Sequence, residues 1–173
     1  KNTSVYAQIS VAVDSIQSII SATTSGMKPS EGKQVEIGLK QMLMNDNLQY
    51  TVALFDISTN NLLSQSPGGV ARQLGEQSSH GLEFDVFVRA TDVLDINFNT
   101  ALIDAEYDEF KKGGEDLSGN TPRNVPEKTA NLWLNWHVHK SWMLSAGARY
   151  VGKRYSNNSN TSELPEYSVY DAS

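Results

Sequence analysis

Residues 128–139, KTANLWLNWHVH, alternate between polar and apolar side chains along nearly their whole length. Successive side chains of a β-strand point to opposite faces, so a period of two predicts a strand with one apolar and one mostly polar face. The preceding residues 119–127, GNTPRNVPE, carry glycine and prolines that disfavour regular structure and predict a loop before the strand. The apolar set is Ala130, Leu132, Leu134, Trp136 and Val138, and the other set is Thr129, Asn131, Trp133, Asn135 and His137.

The same alternation recurs along the rest of the chain. No segment has the 3.6-residue period of a convincing amphipathic helix. The sequence therefore predicts an all-β fold, an antiparallel up-and-down meander of about eight strands. The other alternating segments are 5–13, 34–40, 48–55, 82–89, 96–103 and 144–150, and a further strand begins near 166–173.

The predicted connections are of two unequal kinds that follow one another in turn. Short polar turns and long loops rich in glycine, proline, serine and asparagine alternate, which places all short turns at one end of the meander and all long loops at the other. The short turns are predicted at 45–47, 91–93 and 139–141, and the long loops at about 14–32, 58–74, 108–126 and 156–165.

Composition excludes several classes of protein. The 173 residues include 39% hydrophobic residues, and no apolar run approaches the ~18 residues that a membrane-spanning helix needs. A membrane β-barrel is not excluded, because only alternate residues of its strands are apolar. The formal net charge of −6 argues against a basic nucleic-acid-binding surface. The absence of cysteine excludes disulfides and thiolate metal sites within the chain. The opening residues KNTSVYAQIS do not resemble a signal peptide.

The apolar faces fit two alternatives. In a soluble β-barrel or sandwich that binds a ligand they point inward to a shared core, and in an outer-membrane barrel they point outward to lipid. Bulky Phe87 shares a face with Glu83 and Arg89, which fits a crowded wet interior better than a solvated exterior. A strand as long as 128–139 suits a tilted bilayer crossing of about 9–11 residues. These features favour the membrane barrel and leave the soluble alternative open.

Several segments resemble, in the same order, sequence blocks of TonB-dependent siderophore receptors. For example, KQVEIGLK at 33–40 is similar to the family's KQYEVGLK, and GNTPRNVPEKTANLWLNW at 119–136 is similar to GNRPVNVPRHTASLWADY. The resembling segments are 28–40, 51–63, 74–86, 119–136, 144–155 and 164–173.

The resemblance implies a fold and a function. Residues 1–173 are expected to form part of a 22-stranded transmembrane β-barrel, without the plug domain and terminal strands of the family, since YDAS at 170–173 matches a strand that the family continues. The implied function is TonB-dependent uptake of ferric siderophores through the outer membrane of a Gram-negative bacterium. The implied partners are a ferric siderophore, TonB through the missing plug, and outer-membrane lipid. An outer-membrane barrel that does not transport stays open as a third alternative.

Candidate ligand contacts follow from the orientation that the resemblance implies. The short turns would face the periplasm and the long loops the exterior, so contacts are sought near the loops. Tyr107, Arg123 and Tyr155 are the predicted substrate-binding residues, because aromatic rings offer surface to a chelator and a guanidinium complements an anionic ferric complex.

Other groups of polar residues predict no further chemistry. His137 and His139 share a strand face at metal-ligand spacing, but no third ligand is identifiable, and ordinary polar roles are expected. Glu83 and Asp85 are expected to be neutralised by Arg89, or by Arg149 of another strand, rather than to act as an acid–base pair. The sequence predicts no enzyme, no metal site and no cofactor.

Two glycines inside predicted strands have a mechanical interpretation. Gly38 and Gly147 lie on the polar face, where a missing side chain is expected to allow curvature, the close approach of a plug or a simple β-bulge.

Overall fold

A computed structural model describes residues 2–14, 28–65, 71–73, 75–112 and 114–173. Within these ranges the regular structure is entirely β, and no helix is present that could span a membrane. Eight main strands form the large sheet, and six short strands of two or three residues lie within the loops. In chain order they are β1 Asn2–Asp14, β2 Ser30–Leu43, β3 Leu48–Asn60, β4 Leu63–Gln65, β5 Ala71–Gln73, β6 Glu76–Thr91, β7 Leu94–Glu109, β8 Lys111–Lys112, β9 Glu115–Asp116, β10 Lys128–His139, β11 Trp142–Val151, β12 Arg154–Tyr155, β13 Glu163–Leu164 and β14 Tyr167–Ala172.

The eight main strands form one antiparallel sheet in the order β1-β2-β3-β6-β7-β10-β11-β14. Each main strand pairs with the main strand before it in the sequence, so the predicted eight-stranded meander is confirmed. The short strands form three separate hairpins inside the loops, β4 with β5, β8 with β9 and β12 with β13. These hairpins are too short to show an alternation pattern, and the sequence did not predict them.

Short turns and long loops alternate as predicted. The turns between main strands lie at 44–47, 92–93 and 140–141, all at the same end of the strands. The described long connections lie at the opposite end of the strands and comprise the β3–β6 loop, the β7–β10 loop at 110–127 and the β11–β14 loop at 152–166. Most of the first predicted loop, at 15–27, lies outside the described residues.

The register aligns the apolar side chains of neighbouring strands on one face of the sheet, here called the apolar face. It is open to the surroundings: Leu132 is 38% exposed, Leu134 is 37% exposed and Ile9 is 78% exposed. A soluble sandwich would bury this face in a core, and the described residues form no such core. One row across seven strands consists of Leu43, Leu48, Val88, Ile96, Leu134, Ala146 and Ala172.

The apolar face has the height of a bilayer crossing. On β7, outward side chains run from Leu94 to Leu102, which fits the ~9–11 residues of a tilted membrane strand. Above Leu102 the same face turns polar at Asp104, which lies beside His80 of β6 in the register. Trp142, which is 70% exposed, lies beside the turn at 140–141, where an aromatic ring would meet the edge of a bilayer.

The opposite face, here called the polar face, holds three glycines that each lie opposite an aromatic residue of the neighbouring strand. A Cβ atom on these glycines would lie 2.4–2.7 Å from atoms of the aromatic ring. The space at Gly38 and Gly147 is therefore filled by a ring of the sheet itself. The cross-strand pairs are Tyr6 with Gly38, Phe55 with Gly81 and Trp133 with Gly147.

The charges of the polar face pair differently from the prediction. Arg89 does not neutralise Glu83 and Asp85, because its Nε lies 3.2 Å from Oδ1 of Asp95. The other carboxylate oxygen of Asp95 lies 3.2 Å from Nε2 of His137. Asp95 thus joins β6, β7 and β10 near the short turns, which gives His137 an ordinary polar role.

The turn at 44–47 is strained at one residue. Met44, Asn45 and Asp46 have φ angles of 55°, 53° and 69°, and only the asparagine and aspartate adopt this left-handed region readily.

Met44→Gly is therefore expected to stabilise the full-length protein by roughly 1 kcal/mol, measured as a rise in the urea midpoint in bilayers. The control Leu43→Gly, one residue earlier in β2, should lower the midpoint. Equal or lower stability of Met44→Gly would contradict the strain.

Candidate functional site

The β7–β10 and β11–β14 loops meet above the sheet through backbone contacts. The N–H of Asn124 donates to the carbonyl of Tyr155 at 2.8 Å. The side-chain amide of Asn120 donates to the carbonyl of Asn158 at 3.0 Å. Because a backbone group takes part in each contact, the two loops hold each other at a defined position rather than merely lying side by side.

Tyr107 lies at the upper end of β7 and is only 6% exposed. Its ring stacks on Phe110 with centroids 4.3 Å apart, and Leu117 and Leu62 complete a small apolar cluster at the base of the loops. Its backbone N–H donates to the carbonyl of Asn120 at 2.9 Å. In this conformation Tyr107 packs the β7–β10 loop onto β7, and little of its ring faces the surroundings.

Arg123 links the buried tyrosine to the loop surface. Burial raises the pKa of the Tyr107 hydroxyl, and the positive charge of Arg123 opposes this rise, so the guanidinium acts on the hydroxyl electrostatically. Arg123 itself is exposed and Tyr155 is half-buried. The residue after Arg123 donates its N–H to the carbonyl of Tyr155, so the backbone segments that carry Arg123 and Tyr155 meet at the junction, while Tyr107 lies in the apolar cluster at the base of the loops.

Two further cations near this junction were not singled out by the sequence reasoning. Nζ of Lys153 lies 3.1 Å from Oε1 of Glu163, and this contact raises the pKa of Lys153. The guanidinium carbon of Arg154 lies 5.1 Å from the ring centroid of Tyr167. The run GKRY at 152–155 was the available signal, since it places two cations directly before Tyr155.

A pocket of about 660 Å³ lies where the β7–β10 loop meets the upper ends of β3, β6 and β7. Its lining includes His80, Asp104 and Thr121, and it includes none of the three predicted contact residues. The lining takes residues from both faces of the sheet, such as Leu82 of the apolar face and Gly81 of the polar face. The exposed loop junction is the better candidate for ligand contact.

The fold and the site together define a class of protein. A meander with an exposed apolar face, short turns at one edge and long joined loops at the other is a wall segment of an outer-membrane-type β-barrel.

Comparison with known proteins gives the family. The family model described as "TonB dependent receptor-like, beta-barrel" matches residues 1–173, and the chain belongs to this family. The ferrioxamine receptor of Yersinia enterocolitica is 28% identical over 152 residues, covering 85% of this chain and 20% of the relative. The ferrichrome outer membrane transporter/phage receptor of Escherichia coli K12 is 29% identical over 150 residues, covering 83% of this chain and 20% of the relative.

A solved structure agrees with the sequence relatives. The siderophore receptor PiuA from Acinetobacter baumannii superposes with a TM-score of 0.82 at 26% identity, covering 99% of this chain and 27% of that one. The chain thus spans about a fifth to a quarter of the length of these proteins. The resemblance found in the sequence is confirmed, and the matched proteins are named as receptors and transporters.

Proposed function

We propose that the chain is part of the barrel wall of a receptor that takes up ferric siderophores through the outer membrane of a Gram-negative bacterium. Family membership supports this function, and so do the receptor names of the relatives. In this proposal residues 1–173 are a single barrel segment. Contact with TonB belongs to a plug domain outside these residues.

The observation that carries the proposal is the exposed apolar face. Rows of apolar side chains continue across the sheet from strand to strand. Towards the long loops this face becomes polar, beginning at Asp104 of β7. A protein in water would leave this large apolar area unburied at a high free-energy cost, whereas lipid removes the cost. Lipid is therefore the proposed partner of this face, with the loops outside the cell and the short turns in the periplasm.

The proposed ligand surface is the loop junction. Arg123 is exposed and offers a planar donor group to an anionic ferric complex. Tyr155, at the adjoining loop, offers a half-exposed ring. Tyr107 supports this surface from below by packing on Phe110 and Leu117 at the base of the loop.

The proposed function is tested by binding of ferric chelates to the intact receptor. The purified full-length protein, in detergent, would be titrated with ferric ferrioxamine B, ferrichrome and a ferric tris-catecholate, and tryptophan quenching followed. Saturable binding of at least one complex is expected. Absence of binding to every complex would favour a barrel that does not transport.

Charge reversal at the loop junction gives a residue-level test. Arg123→Glu should weaken binding of the ferric tris-catecholate, the anionic complex among the three, by about tenfold or more, because a charge-assisted contact is replaced by repulsion. Lys112→Glu makes the same change of charge at an exposed position of the same loop and should have a much smaller effect. Equal losses of affinity in the two variants would mean that binding depends on the net charge of the loops and not on a contact with Arg123.

A further inference from the structure

Asn160, in the β11–β14 loop, joins this loop to the β7–β10 loop through two side-chain hydrogen bonds to one residue. Its Oδ1 accepts the backbone N–H of Thr121 at 2.8 Å, and its Nδ2 donates to the carbonyl of the same residue, also at 2.8 Å. One side-chain amide thus satisfies both backbone groups of Thr121, as a neighbouring strand would. Because the two bonds need a donor and an acceptor in fixed places, the amide fits in one orientation only.

The loop around Asn160 is shaped to present this side chain. Asn160 has a φ of 53°, in the left-handed region that asparagine tolerates better than most residues. Asn157 holds the turn, because its Oδ1 accepts the N–H of Thr161 at 3.1 Å and its carbonyl accepts the N–H of Asn160 at 3.4 Å. The turn at 157–161 is therefore held by hydrogen bonds within the β11–β14 loop itself.

The contact between Asn160 and Thr121 holds the segment of the β7–β10 loop that carries Arg123. Thr121, held by Asn160, comes two residues before Arg123, and Asn124, held by Tyr155, comes directly after it. The segment that carries the exposed guanidinium is thus fixed on both sides to the loop that carries Tyr155. Without the Asn160 contact, the segment directly before Arg123 keeps only the bond from the side-chain amide of Asn120 to the carbonyl of Asn158.

We propose that Asn160 is a positioning residue for ligand capture. It fixes the β7–β10 loop against the β11–β14 loop, so that Arg123 and Tyr155 meet a ferric complex as one prearranged surface. This role rests on the proposed function. Prearranged groups bind more tightly because the cost of ordering the loops has already been met during folding.

The test uses the full-length receptor with two measurements on the same variants. The first is affinity for ferric ferrioxamine B, ferrichrome and a ferric tris-catecholate. The second is the distance distribution between spin labels on cysteines introduced at Lys112 and Ser162, one on each loop. The chain contains no cysteine of its own, so labels within it are confined to these sites.

Asn160→Ala is expected to broaden the distance distribution and to weaken binding by roughly tenfold. The matched control is Asn61→Ala. Asn61 is also left-handed, with a φ of 59°, and its amide also donates to a backbone carbonyl, but on the β3–β6 loop. This control should leave both the labels and the affinity unchanged.

Each result bears on one statement. An unchanged distance distribution in Asn160→Ala would overturn the claim that this residue joins the loops. A broadened distribution with unaltered affinity would overturn the positioning role and leave the proposed function intact. If the parent receptor binds none of the complexes, the proposed function fails and the positioning role fails with it.

Discussion

Replacing Phe98 with arginine is expected to destabilise the full-length protein in phospholipid bilayers by about 2–4 kcal/mol, the cost of this side chain at the midplane of a lipid-facing strand. Phe98 is the middle outward residue between Leu94 and Leu102 on β7. It lies beside Leu132 of β10, which is exposed on the same face. A charge there meets hydrocarbon, where no water can solvate it. Urea titration of the refolded protein, followed by tryptophan fluorescence, measures the loss.

The matched control is the preceding residue. Asn97 lies on the polar face, in register with Trp133, so Asn97→Arg makes a similar change of charge on the other side of the same strand. Its cost is expected to stay below about 1 kcal/mol, since the polar face of a barrel strand is not exposed to lipid. Equal costs, or a greater cost at Asn97, would show that the apolar face does not meet lipid.

Gly81→Ala is expected to reduce the assembled fraction of the full-length receptor severely. A Cβ atom at this position would lie 2.2 Å from the carbonyl oxygen of Leu102 and 2.6 Å from the ring of Phe55. The ring can move, but the carbonyl belongs to the backbone of the neighbouring strand β7. Separating β6 from β7 breaks the middle of the sheet, and overpacking that cannot relax costs about 1–3 kcal/mol or more. The measurement is the fraction that migrates as folded protein in SDS without heating.

Gly32→Ala is the control for the loss of glycine. Gly32 lies inside β2, and the nearest atoms to a Cβ there are 3.8 and 3.9 Å away, an ordinary contact distance. This variant should assemble as well as the parent. Adding Phe55→Ala to Gly81→Ala should restore assembly only in part, since the clash with the Leu102 carbonyl stays. Full recovery would assign the whole effect to the aromatic ring.

The main strands were predictable because alternation is a local property. Every main strand of the sheet carries the period of two that its sequence shows, and the three short turns fall within a residue or two of the predicted places. The hairpins inside the loops were not predictable. Their strands span two or three residues, too few for any periodicity to show in the sequence.

The candidate site was only partly accessible to sequence reasoning. Residue chemistry and family resemblance selected Tyr107, Arg123 and Tyr155 as predicted ligand contacts, and the structure brings the segments of Arg123 and Tyr155 together. The burial of Tyr107 against Phe110 was not predictable, because it depends on how the loop folds back onto β7. Asn160 was missed for the same reason: an asparagine in a polar loop has no pattern that reveals its partner.

The sequence by itself determined which side chains share a face and where the chain reverses, since both follow from the geometry of neighbouring residues. Tertiary structure decided what lies opposite each side chain. It placed Asp95 rather than Glu83 beside Arg89. It also packed the ring of Phe55 against Gly81 and hydrogen-bonded the side-chain amide of Asn160 to the backbone of Thr121. These contacts join residues that are far apart in the chain, and their identity depends on the register between strands and the path of the loops. Local sequence does not specify either of these.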